Sequence, residues 1–345
     1  MRVLFLHANT PDYLSAGLFH GLRTLLGNNC VDLPRFDCMY SPLSKGVKDK
    51  IRGNAFTLYG LLDEIPEIAE QRFFIWHKNI HEFDLYIIAD IWNQWETYIK
   101  LIRIVSATKI VVIDPSDSTR VFPFNNFSGN LIHIFLKWYF FKNAQIKYFK
   151  REIPDQEKLM TGLTLLPNFI SKYLLPKRIY PINFSIPEEK ITKVSVDFKT
   201  KKFTTVIVDE ELQNNLASSF FIPLGQELYK FSDENEYYKD IQLSKFGITT
   251  KRSGWDCLRH YEYAANGAVL CFKNLTNKNK ESAPHGLNET NCIFYDFSQN
   301  LIEKLESISE QEYLILQENT YKWVIGNTTI SSAKKLIEFS ILNSQ

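Results

Sequence analysis

One stretch of the chain, residues 244–272, places the strongest constraint on the fold. Its sequence is SKFGITTKRSGWDCLRHYEYAANGAVLCF, and it predicts a strand, a tight turn, a helix and a second strand in succession. The first strand covers 246–250, and the short apolar run at 268–272 is typical of a strand buried in a parallel sheet. Between them, Gly254 favours a sharp turn, because a residue without Cβ tolerates positive φ and the close approach of a ligand. The helix starts near Trp255 and ends at Asn266-Gly267, a common helix C-terminal signal.

The start of this helix is a candidate anion site, because free N–H groups and the helix dipole attract a negative charge such as a phosphate. Arg252 and Arg259 fit the same task, since a guanidinium grips two phosphate oxygens at once. His260 is a further candidate for a phosphate or a sugar, and Glu262 for sugar hydroxyls. The leading hypothesis is therefore a nucleotide-sugar site. Salt bridges to Asp256 or within the helix, Arg259 to Glu262, are the alternative for the two arginines.

Composition excludes several other classes. At 345 residues the chain is long enough for two domains, and a net charge of +1 with 23% charged residues gives no basic field for a nucleic acid. The five cysteines are odd in number and widely spaced, without a CxxC pair. This predicts neither a zinc site nor a disulfide framework, and it favours a reduced, cytoplasmic compartment.

Membrane signals are weak. Residues 2–7 are too short for a signal peptide, and no run approaches the ~20 apolar residues of a membrane span. The stretch 131–141, LIHIFLKWYFF, is compatible with a buried helix or with a helix at a membrane surface. We expect a cytoplasmic protein, with contact at the inner face of the cytoplasmic membrane as the second alternative.

Strands and helices alternate along both halves of the chain. Short apolar strands separated by helices predict parallel sheets covered by helices on both faces, an α/β fold. Prolines cluster in 156–189 and suggest the connection between two Rossmann-like domains, 1–182 and 183–345, that face a central cleft. The sequence contains no GxGxxG after the first strand, no GxxxxGK[ST] and no GxSxG. Dinucleotide dehydrogenases, P-loop enzymes and serine hydrolases are therefore disfavoured.

Ligands of such sheets bind beyond the carboxyl ends of the strands. Lys150 and Arg151 lie at one such end and form a second cationic pair that we expect to face the cleft, with solvated or paired charges as the alternative. His285 lies on a Pro/Gly loop, SAPHGLNETN, after the second strand of the opening stretch. The loop position makes it a candidate for contact with a donor sugar, or else a surface histidine.

Three segments together resemble a known family. The segment RSGWDCLRHYEYAANGAVLCF is similar to the arginine–glutamate–small–glycine signature of exostosin-like and bacterial surface-polysaccharide glycosyltransferases, which have the GT-B architecture. FLHANTPDYLSAGLFHGLR, starting at Phe5, and YFKRE, starting at Tyr148, also look like that bacterial group. One departure concerns the sugar contact: the second glutamate expected seven residues after Glu262 is replaced by Val269.

The resemblance implies a chemistry without a bound metal or other cofactor, in which cationic side chains and helix N-termini carry the charge of the leaving diphosphate. The acceptor would bind to the first domain, so the general base is sought there. Asp12, just after the first strand, is the first choice, and His7 and Asp117 are rivals. Asp12 has an alternative role as the cap of the helix that follows.

The sequence thus predicts a glycosyltransferase that moves a sugar from a nucleotide-sugar donor to a hydroxyl of a saccharide or lipid-linked saccharide in surface polysaccharide synthesis. A sugar-nucleotide epimerase or hydrolase on the same fold is one alternative. A sugar-binding or assembly protein that has lost catalysis is the other.

Overall fold

A computed structural model describes residues 1–51, 53–122, 146–153, 179–213, 220–221 and 230–342. In the first half, six parallel strands form a sheet of order β2-β1-β3-β4-β5-β6. The first four of these strands are separated in sequence by helices. The strands are β1 Val3–Leu6, β2 Cys30–Leu33, β3 Leu85–Ile88, β4 Ile110–Asp114, β5 Lys147–Lys150 and β6 Ile179–Pro181.

The second half contains a smaller parallel sheet. Its order is β12-β11-β10-β7, and a separate two-stranded sheet pairs β8 with β9. The strands are β7 Lys201–Phe203, β8 Val206–Ile207, β9 Phe220–Phe221, β10 Ser244–Thr250, β11 Val269–Lys273 and β12 Cys292–Tyr295.

Helices accompany both sheets. In the first half they are α1 Tyr13–Leu26, α2 Lys45–Lys48, α3 Pro66–Phe74 and α4 Ile91–Leu101. In the second half they are α5 Glu210–Gln213, α6 Glu234–Leu243, α7 Leu258–Ala265, α8 Ser298–Ser307, α9 Glu310–Ile325 and α10 Thr329–Leu342. Two parallel sheets with helices confirm the predicted α/β class; the domain boundary at 182/183 stays a prediction.

The predicted strand–turn–helix–strand unit is present as β10, α7 and β11. The helix begins at Leu258 instead of near Trp255, because the residues before it, with Cys257 as the extended N-cap, form an irregular turn. Its end at Asn266 is as predicted. β11 pairs in register with β10 and β12, so this unit forms the centre of the second sheet.

The last helix, α10, packs on the N-terminal half of the chain. It lies against α1, where the imidazole Nδ1 of His20 is 2.9 Å from the Thr329 hydroxyl. Gly21 sits so close to the first turn of α10 that a Cβ there would lie 1.9 Å from the Thr329 carbonyl oxygen. A short parallel bridge between Ile186 and Thr328 fixes the same crossing.

No helix among the described residues is long and apolar enough to cross a membrane. The apolar stretch 131–141 lies outside the described residues, so both alternatives for it stay predictions.

The contact of α1 with α10 can be tested at Gly21. We expect Gly21→Ala to lower the free energy of unfolding by about 1–3 kcal/mol, because the methyl group would overlap backbone atoms that cannot move aside. Chemical denaturation measures the change. Gly46→Ala in α2 is the matched control, since a methyl group added there would meet no atom within 4 Å. Equal stability of the two variants would contradict the close helix contact.

Candidate functional site

A cavity lies where the first turns of α7 face the N-terminal half of the chain. Its volume is about 120 Å³. Its lining includes aromatic side chains from both halves of the chain and residues at the start of α7. The lining residues are Tyr13, Gly53, Phe56, Val206, Lys230, Phe231, Tyr237, Cys257, Leu258, Arg259 and Glu262. The structure thus brings two of the predicted site residues, Arg259 and Glu262, into one cavity.

Glu262 is a buried residue in the lining of this cavity. Its Oε1 accepts a hydrogen bond from the Thr57 hydroxyl at 2.5 Å, and its Oε2 accepts one from the Tyr237 hydroxyl at 2.6 Å. Burial raises the pKa of Glu262, although both hydroxyls and the nearby Arg259 oppose the shift. The carboxylate therefore holds two hydroxyl donors side by side, the arrangement that vicinal sugar hydroxyls would also offer.

Arg259 is half-buried and lines the same cavity. Within the described part of the chain, no carboxylate comes within ion-pair distance of its guanidinium, so the alternative of a salt bridge to Asp256 or Glu262 does not occur there. Burial, and then the positive charge of Arg259, lower the pKa of Arg252. The second effect indicates that the two guanidinium groups lie near each other. Two guanidinium groups near each other produce a local positive field suited to an anion.

The turn before α7 is already occupied by a carboxylate of the protein. Glu152 Oε1 accepts hydrogen bonds from the backbone N–H groups of Trp255, at 2.7 Å, and Asp256, at 3.2 Å. A Cβ on Gly254 would lie 2.6 Å from the same oxygen. Gly254 thus permits the close approach of Glu152, a side chain of the protein, and its assignment as a ligand contact stays a prediction.

Lys150 and Arg151 do not face the cleft as expected. Lys150 is fully buried and donates to Asp114 Oδ2 at 2.9 Å. Arg151 is buried too: it pairs with Asp117, donates to the Asp256 carbonyl at 2.8 Å, and lies 4.1 Å from the centre of the Phe184 ring. The alternative of paired charges is therefore the correct one.

Two histidines are enclosed by structural contacts. His260 is fully buried, lies 2.7 Å from the Thr249 hydroxyl through Nε2, and packs on Phe272; burial lowers its pKa to about 3. His7 is buried between backbone groups: its Nδ1 accepts from the Asn9 N–H at 2.9 Å, and its Nε2 donates to the Pro34 carbonyl at 2.7 Å. Burial lowers the pKa of His7 to about 4. Both rings are therefore buried and contact other parts of the protein in this arrangement.

His285 lies away from the Arg259–Glu262 cavity. It lines a different cavity of about 620 Å³, beside Tyr180, Trp323 and Phe339. Its Nδ1 contacts the side chain of Asn183, and its Nε2 is 2.9 Å from the Glu281 carbonyl. The structure does not bring His285 together with the two predicted donor residues on α7.

Asp12 is the N-cap of α1. Its Oδ1 accepts a hydrogen bond from the Ser15 N–H at 2.8 Å, as the alternative role predicted. Burial raises the pKa of Asp12 to about 6. The next residue, Tyr13, lines the cavity. Asp12 thus combines a structural role with a pKa that suits a general base near neutral pH.

Sequence reasoning missed several residues of the site. Thr57, Tyr237 and the aromatic side chains Tyr13, Phe56 and Phe231 belong to no recognisable motif, and Thr57 lies 205 positions from its partner Glu262. The one available signal was the aromatic content of 14%, which is compatible with a ring-lined cleft but names no residue. Among the described residues, no group of three or more His, Cys, Asp or Glu side chains could hold a metal ion.

No family model and no curated protein matches the sequence. Solved structures nevertheless resemble the whole chain. Sucrose-phosphate synthase of Thermosynechococcus elongatus is 9% identical over 99% of both chains, with a TM-score of 0.55. Anabaena HepE, solved in complex with UDP and glucose, is 11% identical over 100% of both chains, with a TM-score of 0.52. A glycosyltransferase of Rickettsia africae is 10% identical over 99% of this chain and 98% of its own, with a TM-score of 0.52.

These likenesses define the fold. The chain has the GT-B architecture, two Rossmann-like domains, as the resemblance of its motifs implied. The narrower resemblance to exostosin-like transferases stays a prediction.

The internal carboxylate at the turn can be tested at Glu152. We expect Glu152→Ala to lower the free energy of unfolding by about 1–3 kcal/mol, because two N–H groups beside a buried position lose their acceptor. Glu152→Gln keeps an acceptor oxygen and should lose clearly less. Chemical denaturation compares the two variants. If both lose the same amount, the stabilisation comes from the charge and not from the two hydrogen bonds.

Proposed function

We propose that the chain is a glycosyltransferase that takes its sugar from a nucleotide-sugar donor. The observation that carries the proposal is the joint placement of Arg259 and Glu262 in one cavity between the two halves of the chain. The carboxylate of Glu262 accepts two hydroxyl groups, as it would from a ribose. The guanidinium of Arg259 has no ion pair in the described part of the chain, which suits a diphosphate. The GT-B fold supports the proposal, since two of its structural neighbours are HepE complexes with UDP and with UDP-glucose.

Each side chain has a proposed role. Glu262 accepts the ribose hydroxyls, and the aromatic wall with Tyr13 and Phe56 offers rings for the base. Arg259, with Arg252 beside it, neutralises the diphosphate as it leaves, so that transfer proceeds without a metal ion. Lys150, Arg151, His260 and His285 are left out of this donor site because of the contacts described above.

The acceptor side is proposed for the N-terminal half. Asp12 would take the proton of the attacking hydroxyl, which suits an inverting reaction. We propose a saccharide or lipid-linked saccharide of a bacterial surface polysaccharide as acceptor, on the resemblance of the three motifs. We propose that the protein works at the inner face of the cytoplasmic membrane. The end of α3 and the residues after it support this, since Phe73 is 79% exposed and Lys78 Nζ lies 5.4 Å from the centre of the Phe74 ring.

Donor binding is tested by calorimetry with UDP, the nucleotide of the HepE complexes. We expect Arg259→Met to weaken binding by about 10- to 100-fold, because hydrogen bonds to a charged phosphate are worth about 1.5–3 kcal/mol. Glu262→Gln should weaken it less strongly, since the amide keeps one acceptor oxygen. Other nucleoside diphosphates are measured in parallel.

The control for this experiment is Lys251→Met. Lys251 carries the same charge close by in sequence but is exposed and lies over the Trp255 ring. Its variant should bind UDP like the wild-type chain. Unchanged affinity of the Arg259 and Glu262 variants would rule out this cavity as the donor site.

Catalysis is tested at Asp12. We expect Asp12→Asn to keep the fold, because asparagine caps helices about as well as aspartate. The variant should keep UDP affinity and lose about 100-fold or more of turnover, measured as UDP released from the UDP-sugars that the wild-type chain consumes. Wild-type turnover should rise as pH rises through about 6, where Asp12 loses its proton, and this limb should disappear in the variant.

The outcome also separates the alternatives. Near-normal turnover of Asp12→Asn would remove Asp12 as the base. UDP binding without turnover of any donor by the wild-type chain would favour a sugar-binding or assembly protein.

A further inference from the structure

Thr57 connects the N-terminal half of the chain to the predicted ribose contact. Its hydroxyl donates to Glu262 Oε1 at 2.5 Å and lies 2.8 Å from the Tyr238 hydroxyl. Its backbone N–H donates to Glu234 Oε1 at 2.6 Å. The side chain is 1% exposed, so these contacts are closed to water. Thr57, which belongs to no recognised motif, therefore already donates to Glu262, the carboxylate on which the proposed donor site depends.

The backbone around Thr57 is held in an unfavourable conformation. Thr57 has φ +70°, and Gly53, Asn54 and Ala55 also have positive φ. A β-branched residue rarely adopts this region, because its side chain collides with its own backbone. The 53–57 loop therefore keeps this shape only while contacts with the rest of the protein hold it.

The hydrogen bonds that join the side chains of Asn54 and Thr57 and the Thr57 N–H to other described elements lead to the C-terminal half. Besides Glu262 and Glu234, the carbonyl of Phe231 accepts a hydrogen bond from Asn54 Nδ2 at 2.7 Å. Glu234 is itself held by Lys190, whose Nζ lies 2.9 Å from both carboxylate oxygens. Hydrogen bonds to Glu262, Glu234 and Phe231 therefore hold the loop to the C-terminal half. The loop lies beside the cavity, which Gly53 and Phe56 help to line.

The size of the cavity agrees with an occupied site. Its 120 Å³ is well below the ~300–1,000 Å³ of typical small-molecule sites. A carboxylate oxygen can accept more than one hydrogen bond, but Glu262 is only 7% exposed and the cavity is small, so we expect a ribose hydroxyl at Oε1 to compete with the Thr57 hydroxyl for that place. The replacement is chemically like for like: an aliphatic hydroxyl of the protein gives way to an aliphatic hydroxyl of a ribose.

We propose that the 53–57 loop is an internal competitor of the nucleotide, in which Thr57 takes the place of a ribose hydroxyl on Glu262 until a donor displaces it. The inference rests on the proposed donor site. Its consequence is quantitative: the apparent affinity for a nucleotide is reduced by the fraction of molecules in which the loop is engaged. Release of the loop also frees the link between the two halves, so that donor binding and the relative placement of the halves are coupled.

The test compares UDP affinities of Thr57 variants by calorimetry. Thr57→Val keeps the shape and the β-branching but removes the hydroxyl, so we expect UDP to bind about 3- to 10-fold more tightly, the value of one ordinary hydrogen bond. Thr57→Ser keeps the hydroxyl and should bind within about twofold of the wild-type chain. Asn54→Ala is a second variant at an exposed position, which removes the contact with Phe231 without touching Glu262; it should also bind more tightly.

The outcomes distinguish this inference from the proposed function. Tighter binding by Thr57→Val and Asn54→Ala, but not by Thr57→Ser, supports the competitor. If the wild-type chain binds UDP, and Thr57→Val and Asn54→Ala bind it equally well or more weakly, the competitor hypothesis is wrong and the donor site stands. Thr57 would then stabilise Glu262 in its position. No binding of UDP or another nucleoside diphosphate by any of the four proteins overturns the donor site and the competitor together. If Thr57→Val does not fold, Asn54→Ala decides.

Discussion

The buried junction between the end of β5 and the turn before α7 fixes how the two halves of the chain meet. Glu152 accepts from two backbone N–H groups of that turn, and Arg151 donates to the carbonyl of Asp256. Asp256 in turn accepts from the Phe184 N–H at 2.8 Å. Buried charges are tolerated only when they are paired and hydrogen-bonded, so few alternative placements satisfy this set. The cavity at Arg259 depends on it, because α7 begins directly after the turn.

Local pattern was sufficient for the elements of the second sheet. The apolar runs of β10 and β11 and the Asn-Gly end of α7 lie within one short segment, and their positions in the sequence determine their neighbours in the sheet. The same reasoning was insufficient for Lys150 and Arg151. A strand end predicts which edge of the sheet a side chain lies on, but their partners Asp114, Asp117 and Asp256 come from other strands and from the other half. Only the three-dimensional arrangement shows that these charges neutralise one another.

The candidate site was half predictable for the same reason. Arg259 and Glu262 are separated by three residues on one helix, so helical geometry places both on one face. His260, next to Arg259, points into the core, and the period of the helix explains the difference. The hydroxyls of Thr57 and Tyr237, which donate to Glu262, come from other elements, and no sequence spacing predicts these contacts. The sequence predicts that Arg259 and Glu262 lie on one face of the helix. The structure shows which hydroxyl groups contact Glu262.

The crossing of α10 has a consequence for biosynthesis. The helix that covers α1 is encoded by the last residues described, and His20 and Thr329 are 309 positions apart. During translation the N-terminal sheet leaves the ribosome long before its cover, although domains generally fold in order of synthesis. The apolar surface of α1 that faces α10 must therefore stay exposed, or be shielded by a chaperone, until the residues of α10, Thr329–Leu342, have been made. A stalled or truncated chain that ends before Thr329 would present that surface to the cell as a site of aggregation.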